Sequence, residues 1–223
     1  MKYPNFAEEK KLWRKGYKFV IGLDEAGRGP LAGPVVAAAV TVAPNSFLRL
    51  PSEKLLIPKV NDSKKLSPKR REELYKLITN NPSIEWGIGR VSEKIIDRIN
   101  IKNAAELAME KALKNLEKKM RKRADFLLFD GNHLASLKLK IYSLKLIVKG
   151  DAKVFSCAAA SIIAKVDRDG IMEEYHRKYP QHRFDKHKGY PTKLHLKMLK
   201  KYGICQIHRK SFKPVKKYKI KRS

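Results

Sequence analysis

The residues with the clearest chemical potential in this chain are acids that end apolar runs. Asp24 and Glu25 follow KFVIGL, Asp130 follows FLLF, and Asp167 and Asp169 lie beyond FSCAAASIIA. In open α/β sheets, ligands collect at the carboxyl ends of strands, so acids ending two neighbouring strands can meet. Adjacent strand residues point to opposite faces. Asp24 and Glu25 therefore share one target only if the chain leaves strand geometry near Gly27. On the helix expected after Phe155, Phe155, Ala158, Ala159, Ile162, Ile163 and Val166 form an apolar stripe. At ~100° per residue, Asp169 lies ~20° from the direction of Ile162 and Asp167 ~140° from it. Asp169 is thus predicted to face inward and Asp167 outward. Converging carboxylates repel, and a hard divalent cation, Mg²⁺ or Mn²⁺, offsets that repulsion. Two such ions ~3.5–4 Å apart can activate water and stabilise the leaving oxygen of a phosphodiester. Each acid alone also reads as a turn former or helix-cap partner.

The elements that must hold these acids follow from pattern. Runs at 18–23 and 35–43, joined by the turn residues GRGPLAGP, predict a hairpin. Residues 44–66 read as loop. Ser67-Pro68 predicts a helix over 68–79 with Ser67 as N-cap. Strands are expected at 84–92, 125–131 and 140–151. Between them, Asn103 is a candidate cap with Glu106 three residues on. Ala105, Ala108, Met109, Ala112, Leu113, Leu116 and Met120 then make one helical stripe, with Lys111, Lys114, Lys118 and Lys119 on a solvated face. A long helix is expected over about 153–177, with Asp151 as its N-cap. A shorter one is expected at 193–202, after a loop at 180–192. Strands first, then helices, predict a mixed-sheet α/β domain with a helical C-terminal part. The expected division is a single domain over 1–212 and a basic tail over 213–223, either a solvated end or a clamp on a duplex.

Composition narrows the partner. The 223 residues carry 51 Lys+Arg against 22 Asp+Glu, a formal charge of +29. Such an excess calls for a polyanion, nucleic acid first and an anionic membrane surface second. No apolar run approaches the ~20 residues of a membrane span, and no signal-peptide pattern is evident. The two cysteines, Cys157 and Cys205, form neither a disulfide framework nor a CxxC metal motif. Cys157 reads as a buried, reduced thiol. The expectation is a cytoplasmic protein, monomeric and free of membranes.

The segment GLDEAGRGPLAGPVVAAAV resembles the opening motif of the type 2 ribonucleases H. The resemblance continues through NDSKKL (61–66), FDG (129–131), KGD (149–151), AAASIIAKVDRD (158–169), HKGYPTKLH (187–195) and HRKSFKPV (208–215), in the family's order. It implies a ribonuclease H-like fold, a central mixed sheet flanked by helices with a helical C-terminal region. It places the family's four catalytic, metal-binding acids on Asp24, Glu25, Asp130 and Asp169. It places the substrate-reading loop on Gly27, Arg28 and Gly29, whose backbone would contact a 2′-OH, the group that distinguishes RNA from DNA. Tyr190 would stack on the sugar beside an RNA–DNA junction, and Lys64 would lie near the scissile phosphate. Without the family, Tyr190 is an ordinary loop tyrosine and Lys64 an ordinary surface lysine.

The activity so implied is divalent-metal hydrolysis, with Mg²⁺ or Mn²⁺ and two ions in the active complex. It would act on the RNA strand of RNA–DNA hybrids and at single ribonucleotides embedded in duplex DNA. Products would carry 5′-phosphate and 3′-hydroxyl ends, and the biological setting would be ribonucleotide excision repair. Metal-activated water requires no histidine base, so His187 and His195 receive no proton-transfer role. Two other readings remain at this point. A related metal nuclease acting on DNA junctions would need no 2′-OH. A non-catalytic basic RNA-associated protein would bind without cleaving, a reading that the intact set of four acids opposes.

Overall fold

The computed structural model describes residues 3–43, 60, 63, 66–131 and 137–218. Among the described residues, five strands form one mixed sheet: β1 (Val20–Ala26), β2 (Val35–Val42), β3 (Ile84–Val91), β4 (Phe126–Asp130) and β5 (Leu144–Ile147), in the order β3-β2-β1-β4-β5. β1–β2 and β2–β3 pair antiparallel, giving the expected hairpin. β1–β4 and β4–β5 pair parallel. The described helices are α1 (Ala7–Arg14), α2 (Pro68–Thr79), α3 (Glu93–Met120), α4 (Leu137–Lys140), α5 (Phe155–Lys178), α6 (Phe184–His187), α7 (Lys193–Tyr202) and α8 (Lys213–Lys216).

Strand alternation divides the core between two faces. Val35, Ala37 and Ala39 of β2, with Ile21 and Leu23 of β1, pack on the stripe Ala105, Ala108, Ala112 and Leu116 of α3. Val36, Ala38 and Val40 pack instead on Phe155, Ala159, Ile162 and Ile163 of α5 and on Leu74 and Ile78 of α2. A sheet covered on both faces reads as continuous apolar runs, as VVAAAVTV does. Gly22 of β1 makes the α5 contact possible: a Cβ there would lie 2.5 Å from the Ser156 carbonyl carbon and 2.6 Å from Cys157 N.

Several expectations change. The α2 cap is as expected, with Ser67 Oγ accepting from Arg70 N at 3.2 Å. In α3 the cap is not Asn103. The helical segment begins at Glu93 and breaks at Asn100 (φ 65°), whose Oδ1 accepts from Asn103 N at 3.1 Å. The short Asn100 amide recaps the chain beyond the break. The strand expected over 140–151 is only Leu144–Ile147. Asp151 does not cap α5. It lies in a 3₁₀ turn, Gly150–Ala152, and the residue preceding α5, Val154, offers no side-chain cap. Glu9 of α1 serves instead, its Oε1 accepting from Ser156 N at 2.9 Å and Ser156 Oγ at 2.8 Å.

The segment 180–192 is not all loop, since it contains the 3₁₀ turn Pro180–His182 and α6. The basic segment from Lys213 opens with α8, whose Val215 is buried against Leu31, Leu199 and Ile204. Residues 219–223 lie outside the described residues, as does the loop of 44–66 except for Val60, Ser63 and Leu66. No helix among the described residues is long and apolar enough to cross a membrane.

Candidate active site

The parallel register brings two predicted acids together. Gly22 pairs with Leu128 and Leu23 with Phe129. Two residues further along, Asp24 of β1 and Asp130, the last residue of β4, lie side by side on the face that packs on α5. The third member of the group is Asp151, next to Gly150, whose N–H donates to Asp130 Oδ1 at 2.6 Å. One carboxylate oxygen from each of Asp24, Asp130 and Asp151 lies within 4.8 Å of the others. Asp24 and Asp151 are each only 5% exposed. Burial, then the charges of Glu25 and Asp130, hold the Asp24 carboxyl well above the usual carboxylate range. Three hard oxygen donors in mutual repulsion suit a hard divalent cation.

Glu25 and Asp169 stand outside that trio. β1 continues through Ala26, so strand geometry still separates Glu25 from Asp24, and Glu25 Oε1 pairs with Arg28 at 3.2 Å. Asp169 Oδ1 accepts from Lys165 Nζ at 2.6 Å. Ser161, Lys165 and Asp169 follow at four-residue intervals on one helix face. Ser161 hydrogen-bonds Asp24, which acts to lower the Asp24 pKa, and Ser161 Oγ lies 2.9 Å from Ser63 Oγ. Asp169 is thus on the helix face that reaches the acids, two turns on. Asp167 does diverge from it, but it is not solvated. Its carboxylate is forked by Arg90 of β3 and its side chain is 10% exposed. Lys64 lies outside the described residues.

The loop Gly27-Arg28-Gly29 follows the acids directly. Gly27 has φ +102°, and a Cβ there would sit 2.2 Å from Arg168 Nε. Tyr190 is half-exposed, with its ring beside Gly29, Lys165 Nζ 5.4 Å from its centroid and Arg168 Cζ 5.6 Å away. Two arginines that the sequence reading passed over hold this loop. Arg209 donates to the carbonyls of Gly27 (2.7 Å), Arg28 (3.1 Å), Gly33 (2.9 Å) and Pro34 (3.1 Å). Arg168 donates to those of Pro34 (3.0 Å), Ala32 (3.1 Å) and Lys188 (3.0 Å). Both are 0% exposed. Burial lowers the Arg209 guanidinium to about 9, and Arg168 beside it adds to the effect. Their rigid forks neutralise carbonyls that the turn leaves without backbone partners. The one sequence signal was their place inside AAASIIAKVDRD and HRKSFKPV.

His187 and His195 are likewise internal supports. His195 Nδ1 lies 3.0 Å from Tyr190 O, and its ring stacks on His187 at 4.1 Å between centroids. Burial lowers His195 to about 4, so the neutral ring donates to the tyrosine's carbonyl and fixes the backbone beneath it.

Together the mixed sheet, the covering helices and the strand-end acids define a ribonuclease H-like α/β protein. The Ribonuclease HII sequence profile matches residues 21–215, and the chain belongs to that family. It is accordingly a nuclease with ribonuclease H activity. Ribonuclease HII of Caldicellulosiruptor bescii is 47% identical over 207 residues, covering 93% of this chain and 92% of its own. That of Chlamydia trachomatis serovar L2 is 49% identical over 214 residues, covering 94% and 91%. Among solved structures, ribonuclease H2 of Pyrococcus horikoshii OT3 superposes with a TM-score of 0.70 at 27% identity, covering 89% of this chain and 95% of that one. The Archaeoglobus fulgidus ribonuclease HII, solved in complex with PCNA, gives 0.66 at 27% identity, covering 85% and 91%.

Proposed function

We propose that the chain hydrolyses the RNA strand of RNA–DNA hybrids and cuts on the 5′ side of single ribonucleotides in duplex DNA. The observation that carries this reading is the convergence of Asp24, Asp130 and Asp151 within 4.8 Å beside the glycine loop. These three side chains would hold the cation, with Glu25 and Asp169 completing the acid set from its flanks. When bound, one or two Mg²⁺ or Mn²⁺ ions supply Lewis-acid activation of water and charge stabilisation at the departing 3′ oxygen, leaving 5′-phosphate and 3′-hydroxyl ends. The backbone of Gly27-Arg28-Gly29, bonded by Arg209 and packed on Arg168, offers its polar groups to the 2′-OH. The Tyr190 ring packs on the neighbouring deoxyribose. Lys64 is assigned to the phosphate, and the basic surface supplies affinity for the duplex. Both cysteines are free and buried, which suits a reducing compartment. We place the enzyme in the cytoplasm, as a monomer acting in ribonucleotide excision repair.

The test is a labelled DNA duplex with one ribonucleotide, incubated with Mg²⁺, Mn²⁺ or chelator, with the cut mapped. Asp130→Asn should bind this duplex normally and lose most cleavage. Near-normal cleavage by that variant at limiting metal, or equal cutting of an all-DNA duplex, would sink the reading. Tyr190→Ala should slow the single-ribonucleotide cut by one to two decades more than cutting within continuous RNA, as a stacking contact of ~1–3 kcal/mol implies. Equal losses on both substrates would remove Tyr190 from junction recognition.

A further inference from the structure

A second group of ligand-type side chains lies in the C-terminal helical region. His182, Cys205 and His208 are 1%, 8% and 1% exposed, and one donor atom from each lies within 4.8 Å of the other two. Cys205 and His208 are spaced Cys-x₂-His in CQIH, so one turn presents both donors. Cys205 Sγ lies 3.2 Å from His208 Nδ1. A tetrahedral Zn²⁺ with ordinary Zn–S and Zn–N bonds holds such a pair about 3.5 Å apart. His182 contributes the third donor, and its Nδ1 is buried with no hydrogen-bond partner. The surroundings are Ala32, Met172, Phe184 and Ile207, where an unmet ring nitrogen is costly.

The protonation pattern suits a ligand. Cys205 N–H donates to His208 Nδ1 at 2.9 Å, so that nitrogen carries a lone pair. His208 Nε2–H then points to His195 Nε2 at 3.1 Å, and His195 Nδ1–H to Tyr190 O at 3.0 Å. A ring with its lone pair at one nitrogen, which a cation would take over from the Cys205 N–H, and an anchored N–H at the other suits a metal-ligating histidine. Burial keeps both rings neutral, holding His182 at about 4 and His208 at about 3.

We propose that His182, Cys205 and His208 form a Zn²⁺ site beneath the segment that carries Tyr190. One thiolate and two imidazoles select a borderline-soft cation over Mg²⁺, whereas the aspartates select the reverse. Binding exchanges the Cys205 S–H bond for an S–Zn bond and the proton passes to the buffer, so one proton is released per ion. Three protein donors leave the fourth tetrahedral position to water. The site is independent of the nuclease reading, because none of its ligands belongs to the acid cluster.

The test titrates Co²⁺, as a spectroscopic probe, into the full-length protein with Mg²⁺ in excess. A thiolate-to-cobalt charge-transfer band should saturate at one equivalent, a band that carboxylate ligation does not produce. Cys205→Ser should abolish it, His182→Phe should weaken binding by at least about tenfold, and Cys157→Ala should leave it intact. Zn²⁺ should raise the melting temperature of the parent protein and release one proton per ion. Absence of both the band and the Zn²⁺-dependent shift would overturn the site. So would a band lost in Cys157→Ala but kept in Cys205→Ser. Should Cys205→Ser not fold, His182→Phe and proton release by the parent protein decide the matter.

Discussion

Replacing Glu9 with glutamine should change how stability depends on pH while leaving the fold intact. Glu9 is 1% exposed, and the two Ser156 bonds at the start of α5 both fall on Oε1. Oε2 is buried without a partner. Burial pushes the carboxyl from an ordinary 4.5 up to about 7, with the Ser156 bonds opposing the shift. One pKa unit corresponds to 1.36 kcal/mol, so a rise of about 2.5 units amounts to about 3 kcal/mol. The sign follows from a folded pKa raised above the unfolded one. The stabilisation is fully present below pH 4.5, falls as the pH rises through 7, and is absent above that. Glutamine can still accept both Ser156 bonds but cannot ionise. Urea unfolding of both proteins between pH 4.5 and 8.5 isolates this one group, because other titrations cancel in the difference. The glutamine variant should gain about 3 kcal/mol relative to the parent between the two ends of that range. A difference that stays constant across the range would show that Glu9 is not a buried, titrating cap.

Three further perturbations probe the supports of the site. Gly22→Ala should cost ~1–3 kcal/mol in thermal unfolding through overpacking, since its Cβ would overlap Ser156; an unchanged melting temperature would contradict the close approach of α5 to β1. Asp151→Asn should raise the Mg²⁺ concentration for half-maximal cleavage by about tenfold or more with helix content unchanged, whereas a helix-cap role would lower the melting temperature and leave the Mg²⁺ dependence alone. Arg209→Lys retains the charge but not the fork, and should lose ~1.5–3 kcal/mol for each carbonyl bond the ammonium does not replace, read as lowered stability with weakened binding of the single-ribonucleotide duplex; parent-like values on both counts would show that the fork is dispensable.

Local chemistry was the legible part of the sequence. Ser67-Pro68 starts α2 as read, the 193–202 helix is as read, and the two apolar runs flanking the Gly/Pro-rich turn became β1 and β2, because caps, proline and turn residues act within a few residues. The divergence of Asp167 and Asp169 was also legible, since helix angles are local. What escaped was what depends on tertiary register. Asp151 reads as a cap because it precedes a helix, yet the actual cap, Glu9, comes from 147 residues away in the chain. The end of Asp167 on Arg90, rather than in water, depends on where β3 lies. Arg168 and Arg209 carry no sequence sign of burial, because a guanidinium becomes a core group only when a turn presents carbonyls to it.

These supports divide the site into two parts. The acids hang mainly on the sheet, because the β1–β4 register and the Gly150 N–H bond to Asp130 bring Asp24, Asp130 and Asp151 together, with Ser161 of α5 adding a bond to Asp24. The glycine loop and Tyr190 hang on Arg168, Arg209 and the His195–Tyr190 bond, and all three donors come from α5 or beyond. The shared element is α5, which presents Ser161 to Asp24 at one level and Lys165 and Arg168 to the Tyr190 side one and two turns later. Under the proposed mechanism, damage to the sheet side should appear as altered metal dependence, and damage to the C-terminal side as altered substrate choice. Displacing α5 itself, as Gly22→Ala would, should disturb both. A long, alanine-rich helix with small residues at its sheet-facing end is what lets both groups approach one substrate strand.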